Sequence, residues 1–299
     1  KLCPLLKSIR TALFRGIVNE GALGEISAMI LLLKSMDVLE AGWGWGEVHE
    51  FIEKLAEVVK TFENNEIKEK EMCDVICDMI PTDSKLNFTH FIQWFGNFKQ
   101  SDILFLLKRR AACILPRNQY GADLLIPFFV RDRQEIKFGA ILVQVKNCLG
   151  ASDPRDVGMK LFASYVFRKW SEEELNIPFF RVVLELGLSR ARQKPSSIPT
   201  KNTAELVEVL VKRDQSTRRE DDKATFTVTS STSGFKIPST VYQTKSGSVK
   251  EGSVKFLRLR GIAGVQWMDE PTYDCFTELL EGPFTAKAMM TMTKDVDSA

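Results

Sequence analysis

The chain has 299 residues, of which 44% are hydrophobic and 27% are charged, which is ordinary for a folded protein of one large or two smaller domains. Its formal charge of +2 is too close to neutral to indicate a nucleic-acid partner by itself, so local clusters of charge must decide that question. The longest apolar run, residues 26–33, is too short to span a bilayer, and we expect no membrane partner.

The first 110 residues have the pattern of helices. Apolar residues recur at three- and four-residue steps over 5–40, and a Gly/Trp turn is followed by a second predicted helix, from about Glu47 to Phe62. Two further helical segments are predicted near 70–80 and 87–110. We therefore interpret residues 41–110 as a helical insertion.

After residue 120 the pattern changes to short runs rich in β-branched and aromatic residues. The runs LLIPFFV and AILVQVKN predict two antiparallel strands separated by a charged stretch. A helix is predicted from about Pro154 to Trp170, with Asp153 as its N-cap, and the segment IPFFRVVLELG predicts another strand.

The remaining residues predict a mixture of strands and helices. Residues 189–203 are a basic loop that contains Pro and Ser, and the segment AELVEVLVKR predicts a short helix. Alternating segments from Ala224 onwards predict strands, and PTYDCFTELLEG predicts a closing helix. We interpret residues 201–299 as a mixed α+β extension that packs on the preceding core.

The two antiparallel strands carry polar side chains in positions that suggest chemistry. Alternation places Gln144 and Lys146 on one face of the second strand, while the apolar residues between them face the other way. A lysine on an otherwise apolar face requires an anion close by. Asp123 opens the preceding strand and can supply one, although the sequence does not fix the register of the hairpin.

An Asp at the start of one strand, followed on the next strand by Gln144-Val145-Lys146, resembles the PD-(D/E)XK nuclease superfamily. More narrowly, the segments NFTHFIQ, ILPRNQYGADLLIPFF and ILVQVKN are similar to a group of fungal proteins whose nuclease-like core resembles that of Crinkler-type effector proteins. The resemblance implies an α/β fold with a central mixed sheet and the element order α-β-β-β-α-β. Residues 1–40 and 111–200 would form this core.

The resemblance also implies Mg²⁺-dependent (or Mn²⁺-dependent) hydrolysis of phosphodiester bonds in DNA or RNA. Asp123, Gln144 and the backbone carbonyl of Val145 would hold the metal ion. Glu25, on the helix that precedes the strands, would complete the metal's ligand shell directly or through water. Lys146 would position the attacking water or stabilise the phosphate.

Two positions depart from the pattern of the superfamily. Ala122 replaces the usual proline, which leaves the aspartate oxygen in place, and Gln144 replaces the usual acid, so the site brings one negative charge fewer to the metal. Glu25 follows Gly24 and is equally well explained as a helix-start residue, with Glu20 as the second candidate for the glutamate.

Several alternatives stay open. Arg190, Arg192 and Lys194 are candidates for contacts with substrate phosphates, but a solvated loop explains them as well. Lys146 and Asp123 could form a purely structural buried ion pair. The second functional hypothesis is a non-catalytic module that keeps the fold and binds a protein or nucleic-acid partner, and the third is a structural subunit of a larger assembly.

The six cysteines lie mostly in apolar runs, which is typical of reduced, buried thiols in the cytoplasm or nucleus. A Cys₂His₂ zinc site would have to use Cys73, Cys77, His49 and His90, whose separations are wider than those of zinc fingers. The chain begins at Lys1, so we expect a fragment or a processed form, in which a removed signal peptide would be invisible.

Overall fold

The computed structural model describes residues 8, 11, 20–39, 44–57, 79–81, 83–116, 120–132, 135–146, 152–167, 169–186, 203–213, 224–232, 235–244 and 252–260. Within these residues the helices are α1 (Glu20–Val38), α2 (Val48–Glu57), α3 (Gln100–Arg109), α4 (Pro154–Lys160) and α5 (Ala163–Val166). The strands are β1 (Gly46–Glu47), β2 (Ser84–Leu86), β3 (His90–Gln93), β4 (Ala111–Ile114), β5 (Leu124–Asp132), β6 (Glu135–Lys146), β7 (Phe179–Glu185), β8 (Thr203–Arg213), β9 (Ala224–Thr232), β10 (Phe235–Thr244) and β11 (Gly252–Arg260).

All eleven of these strands belong to one mixed sheet, which confirms the predicted mixed α/β class. The main path across the sheet runs β1-β2-β5-β6-β7-β11-β8-β9-β10. Strand β4 pairs with the first residues of β5, and β2 pairs with the last residues of β5 on the same side. Strand β3 pairs with β4. Strands β8 to β11 therefore continue the same sheet rather than forming a separate one. None of the described helices is long and apolar enough to cross a membrane.

The predicted hairpin is confirmed as β5 and β6, which pair antiparallel from Leu124 opposite Val143 to Asp132 opposite Glu135. Leu124 and Val143 belong to one buried cluster, whereas Leu125 and Leu142, one position further, belong to another. This period of two buries both faces of the hairpin and fixes which side chains share a face.

The two faces of the sheet are covered by different helices. Helices α1 and α2 pack on the face of Leu124 and Val143, which we call the α1 face. Helices α3 and α5 pack over Leu125 and Leu142 on the other side, and α4 continues that layer over Val183 on β7. We call this second side the α4 face. The central strands are thus buried on both sides, as their nearly continuous apolar runs require.

The connection from β6 to β7 passes through α4 and α5, and the two strands are parallel. The predicted N-cap is confirmed, because an oxygen of the Asp153 side chain accepts a 2.9 Å hydrogen bond from the Arg155 backbone N–H. The single helix predicted over 154–170 is wrong, since α4 ends at Lys160. In a continuing helix the Leu161 carbonyl would accept a backbone hydrogen bond. Here it accepts a 2.9 Å hydrogen bond from Arg181 Nε.

Two further helix predictions are wrong. Only 100–109 of the segment 87–110 is helical, because Asp102 accepts a 2.7 Å hydrogen bond from the Lys99 backbone N–H and so begins α3 there, while 90–93 form strand β3. The segment predicted as a short helix after residue 203 is strand β8, which pairs on both sides, with β9 and β11. Its alternate residues Val207, Val209 and Val211 are buried, which is the period of a strand.

Candidate functional site

Five polar side chains lie at one edge of the sheet, where β6, β7 and β11 end and β5 begins. These three strands are mutually parallel, so their carboxyl ends meet at the same edge. The side chains all belong to positions that alternate onto the α4 face. We call this group the polar edge, and its members are Asp123, Gln144, Lys146, Glu185 and Arg258.

Asp123 is tied directly to β6. Its backbone N–H donates a 2.9 Å hydrogen bond to the Val143 carbonyl, and its side-chain Oδ2 accepts a 2.6 Å hydrogen bond from the Val145 backbone N–H. One position beyond the pairing of Leu124 with Val143, Asp123 therefore faces Gln144 and lies on the same face as Gln144 and Lys146. The register that the sequence leaves open brings the three predicted residues to one place.

The electrostatics of Asp123 reflect two opposing influences. Burial raises the pKa of its carboxyl above the usual range, while the Val145 N–H and the positive charge of Lys146 act to lower it. The contacts of the described residues include no direct ion pair between Asp123 and Lys146, so the lysine acts on the carboxylate through space. The structural alternative of a closed Asp123–Lys146 pair is not what the structure has.

Gln144 supplies the most unusual atom of the polar edge. The residue is only 5% exposed, and its side-chain oxygen Oε1 is buried without any hydrogen-bond partner. A buried acceptor left unsatisfied costs about 1–3 kcal/mol, so such an atom calls for a ligand. Mg²⁺ prefers carboxylate and amide oxygens, and Asp123 stands directly opposite Gln144. The donor set therefore fits a divalent metal ion of this kind.

The fourth predicted ligand is placed differently. Glu25 lies on α1, which packs against the α1 face through Ala28, Leu31 and Leu32, whereas Asp123 and Gln144 point to the α4 face. Among the described residues no group of three or more His, Cys, Asp or Glu side chains is arranged to hold a metal ion. The participation of Glu25, or of Glu20 at the start of α1, stays a prediction.

Other predicted residues lie beyond the part of the chain that the structure describes. These are the basic residues of the 189–203 loop, namely Arg190, Arg192 and Lys194, and the cysteine pair of the zinc alternative, Cys73 and Cys77. The predicted helix in PTYDCFTELLEG also falls outside the described residues.

Glu185 and Arg258, which are not among the predicted site residues, form a fully buried ion pair. Their side chains are 0% and 1% exposed, and Arg258 Nη2 lies 2.7 Å from Glu185 Oε1. The same two groups hold the backbone of Ser152, whose N–H donates to Glu185 Oε1 at 3.1 Å and whose carbonyl accepts from Arg258. Buried charges require such pairing. The signal available in the sequence was a charge that alternates with buried apolar residues, Glu185 two residues after Val183 and Arg258 two residues after Phe256.

The ion pair adjoins the predicted site in register. Glu185 on β7 pairs with Lys146 on β6, and Arg258 on β11 pairs with Val183 on β7, in the row that contains Gln144. The Nε atom of Arg258 is buried without a hydrogen-bond partner, like Gln144 Oε1. The two unsatisfied atoms therefore lie in one row of the sheet, separated by the strand that carries Val183.

A glycine allows the chain to pass close to α4 just before Asp123. Gly121, two residues before Asp123, has a φ of 90°, and a Cβ atom there would lie 1.8 Å from the Lys160 carbonyl oxygen at the end of α4. Only glycine allows this close approach together with this backbone conformation. The position of Asp123 therefore depends on the contact between Gly121 and α4.

The fold and the site define a mixed α/β protein with a polar edge at the carboxyl ends of its parallel strands. The chain belongs to the family described as a domain of unknown function, DUF8736, which matches residues 1–241. The match includes every member of the polar edge except Arg258. No curated protein and no solved structure matches the chain.

Proposed function

We propose that this protein is a Mg²⁺-dependent nuclease that hydrolyses phosphodiester bonds in nucleic acid. The observation that carries the proposal is the 2.6 Å hydrogen bond from the Val145 N–H to Asp123 Oδ2, which joins Asp123 to the strand of Gln144 and Lys146. The order α1, β4, β5, β6, α4, α5 and β7, with β1 to β3, α2 and α3 set aside as insertions, supports the proposal because it can be matched to the order α-β-β-β-α-β.

The metal ion would be held by Asp123, by Gln144 Oε1 and by the backbone carbonyl of Val145. When bound, such an ion lowers the pKa of a coordinated water and stabilises charge on the transferring phosphoryl group. The Val145 N–H holds the Asp123 carboxylate in one orientation, which leaves its other oxygen to face the ligand.

Lys146 is proposed to act on the substrate rather than on the protein. Its side chain is half-buried and close enough to Asp123 to lower the pKa of that carboxyl, but no direct ion pair among the described residues holds it there. An ammonium in this setting can contact a phosphate oxygen and stabilise the negative charge that develops during hydrolysis. Glu185, which pairs with Lys146 in register, holds the residue before the N-cap of α4 through its contact with the Ser152 N–H.

The test is cleavage of plasmid DNA, single-stranded DNA and RNA by the full chain with Mg²⁺, with Mn²⁺ or with EDTA. Wild type should cleave at least one of them with metal, and Asp123→Ala and Lys146→Ala should abolish the cleavage. Lys34→Ala and Asp37→Ala are the matched controls, because these residues form an exposed ion pair on α1. Cleavage that survives in both site variants would remove the site assignment.

A second candidate function is a catalytically inactive module that keeps the nuclease fold and binds a partner. The specific observation in its favour is Gln144, because an amide brings no negative charge to a metal. This candidate predicts nucleic-acid or protein binding without cleavage of any substrate by the intact chain.

Under both candidate functions we propose that the protein acts inside the cell, in the cytoplasm or nucleus. The buried free thiol of Cys113 supports this location.

A further inference from the structure

Trp94 and helix α3, which carries Phe105, pack on the same face of the sheet as the polar edge, and an exposed aromatic residue, Phe95, follows Trp94. Phe95 is 85% exposed and follows Trp94, whose ring contacts Phe105 at 6.1 Å in an edge-to-face arrangement. Phe105 is itself 41% exposed on α3. Single exposed apolar residues need no explanation, but a contacting pair, Trp94 and Phe105, with the exposed Phe95 next to Trp94 in the chain, indicates a binding function. We call this group, together with Arg109, the aromatic surface.

The charged side chains on α3 beside Phe105 are mostly positive, and the acidic residues 172–174 lie near the start of α3, where Gln100 Nε2 donates a 3.3 Å hydrogen bond to the Glu174 carbonyl. Arg109 lies with its guanidinium carbon 4.7 Å from the centre of the Phe105 ring, and Lys99 and Lys108 are exposed at the two ends of α3. Asp102 is the one acid of residues 99–110, all of which the structure describes, and its carboxylate is used to accept a hydrogen bond from the Lys99 N–H. Aromatic rings interleaved with cations are the arrangement by which proteins bind single-stranded nucleic acid, through base stacking and contacts with phosphates.

Backbone hydrogen bonds between neighbouring strands also connect the aromatic surface with the polar edge. The Trp94 N–H donates a 2.9 Å hydrogen bond to the Ile114 carbonyl, and the next residue of β4's chain, Leu115, donates to the Asp123 carbonyl at 2.9 Å. Trp94 packs against the cluster of the α4 face, which is the face of Asp123. Two strand spacings therefore separate Trp94 from Asp123, about 10 Å.

We infer that the aromatic surface is a base-stacking subsite and that the polar edge takes single-stranded or locally unpaired nucleic acid; the inference rests on the proposed function. A separation of about 10 Å matches roughly three stacked nucleotides. Unpaired bases expose the ring faces that Phe95 and Phe105 can stack on, whereas a duplex hides them.

The test measures binding by fluorescence anisotropy, in EDTA so that no cleavage occurs. The probes are a labelled oligothymidylate and the same oligonucleotide annealed to its complement. Phe95→Ala should weaken binding of the single strand about 5- to 140-fold, from about 1–3 kcal/mol per stacked base, and should change duplex binding much less. Ile136→Ala is the matched control, because Ile136 is 56% exposed at the opposite end of β6 and should leave binding unchanged.

Each outcome decides the inference. Equal affinity of wild type, Phe95→Ala and Ile136→Ala for the single strand would overturn it. So would a wild type that binds no nucleic acid but self-associates in sedimentation through Phe95, which would assign the surface to a second copy of the chain. Weakened binding in Phe95→Ala with no cleavage by wild type would support the subsite and refute the nuclease. Cleavage that depends on Asp123, with normal binding in Phe95→Ala, would support the nuclease and refute the subsite.

Discussion

Asp123 and Val145 are joined by a 2.6 Å hydrogen bond in which the carboxylate oxygen Oδ2 accepts from the backbone N–H. The contact extends the pairing of β5 with β6 by a side chain, at the point where the two strands separate. It fixes the carboxylate beside Gln144 and Lys146, the two residues that flank Val145. A functional group is thereby oriented by backbone geometry, which is more rigid than another side chain would be.

The first prediction concerns the charge on Asp123. Burial raises its pKa above the ordinary 3.8 despite the Val145 N–H and Lys146, so the folded state binds this proton more tightly than the unfolded state does. The stability that this carboxyl contributes is therefore fully present below pH 3.8 and is lost as the pH rises through the raised value. At neutral pH the ionised Asp123 should reduce stability.

Asp123→Asn keeps the shape and an acceptor oxygen for Val145 but removes the charge. We expect a higher Tm than wild type at neutral pH, a smaller difference as the pH falls towards 3.8, and loss of stabilisation by added Mg²⁺. Asp37→Asn, at an exposed position of α1, should show none of these effects. Thermal melts across pH, with and without Mg²⁺, measure this, and a Mg²⁺ response retained by Asp123→Asn would exclude Asp123 as a ligand.

The second prediction uses the unsatisfied oxygen of Gln144. Gln144→Met replaces it with an apolar group of similar shape and should stabilise the metal-free protein by about 1–3 kcal/mol, while weakening its response to Mg²⁺. Gln144→Glu places a second carboxylate opposite Asp123, so the metal-free protein should lose stability through repulsion between like charges. The Mg²⁺ concentration that gives a half-maximal response should be about tenfold lower for Gln144→Glu than for wild type, because metal affinity rises with the negative charge of the ligands.

Chemical denaturation gives the stability of these two variants, and Mg²⁺ titrations of Tm or of cleavage give the metal requirement. If Gln144→Met responds to Mg²⁺ as wild type does, the amide oxygen is not a ligand, and the second carboxylate of Gln144→Glu should then bring no gain.

What the sequence predicts correctly about the site depends on local periodicity. The shared face of Gln144 and Lys146 follows from the period of two in β6, and the structure has it. The register that brings in Asp123 could not be predicted, because the segment RDRQ, which begins the charged stretch between the two predicted strands, includes no Gly or Asn that would select a turn type.

The errors have a similar cause. The segment of β8 is rich in Ala, Glu, Leu and Lys, which favour helices. Its alternating valines favour a strand, and the segment forms one because it pairs with β9 on one side and β11 on the other. Glu185 and Arg258 are 73 residues apart, and nothing in either strand identifies its neighbour in a parallel sheet. Long-range pairing therefore accounts for most of what the sequence did not reveal.

The third prediction concerns this ion pair. Glu185→Gln leaves the Arg258 charge buried without its counter-charge and should cost about 3–5 kcal/mol of stability, and Arg258→Met should cost a similar amount because it also removes the donor to the Ser152 carbonyl. The double variant Glu185→Gln/Arg258→Met should be more stable than the sum of the single losses predicts. Urea denaturation of the four proteins gives the coupling energy, and strictly additive losses would mean that the pair does not act as a unit.

The fourth prediction separates backbone strain from steric collision at the entry to the site. Gly96 and Gly121 have nearly the same φ, 92° and 90°, but a Cβ atom at Gly96 would meet nothing within 4 Å, whereas one at Gly121 would lie 1.8 Å from the Lys160 carbonyl oxygen. Gly96→Ala should therefore lose only about 1–2 kcal/mol, the strain of a left-handed residue.

Gly121→Ala should lose about 2–5 kcal/mol, because the collision with α4 adds to the same strain. Since Asp123 follows two residues later, added Mg²⁺ should no longer raise the Tm of this variant, whereas it should still raise the Tm of Gly96→Ala. Denaturant unfolding and Mg²⁺ titration of both variants make the comparison. Equal losses of stability in the two would show that α4 yields to the added methyl group and that Gly121 is needed only for its φ, which would leave Asp123 to be positioned by the Val145 N–H alone.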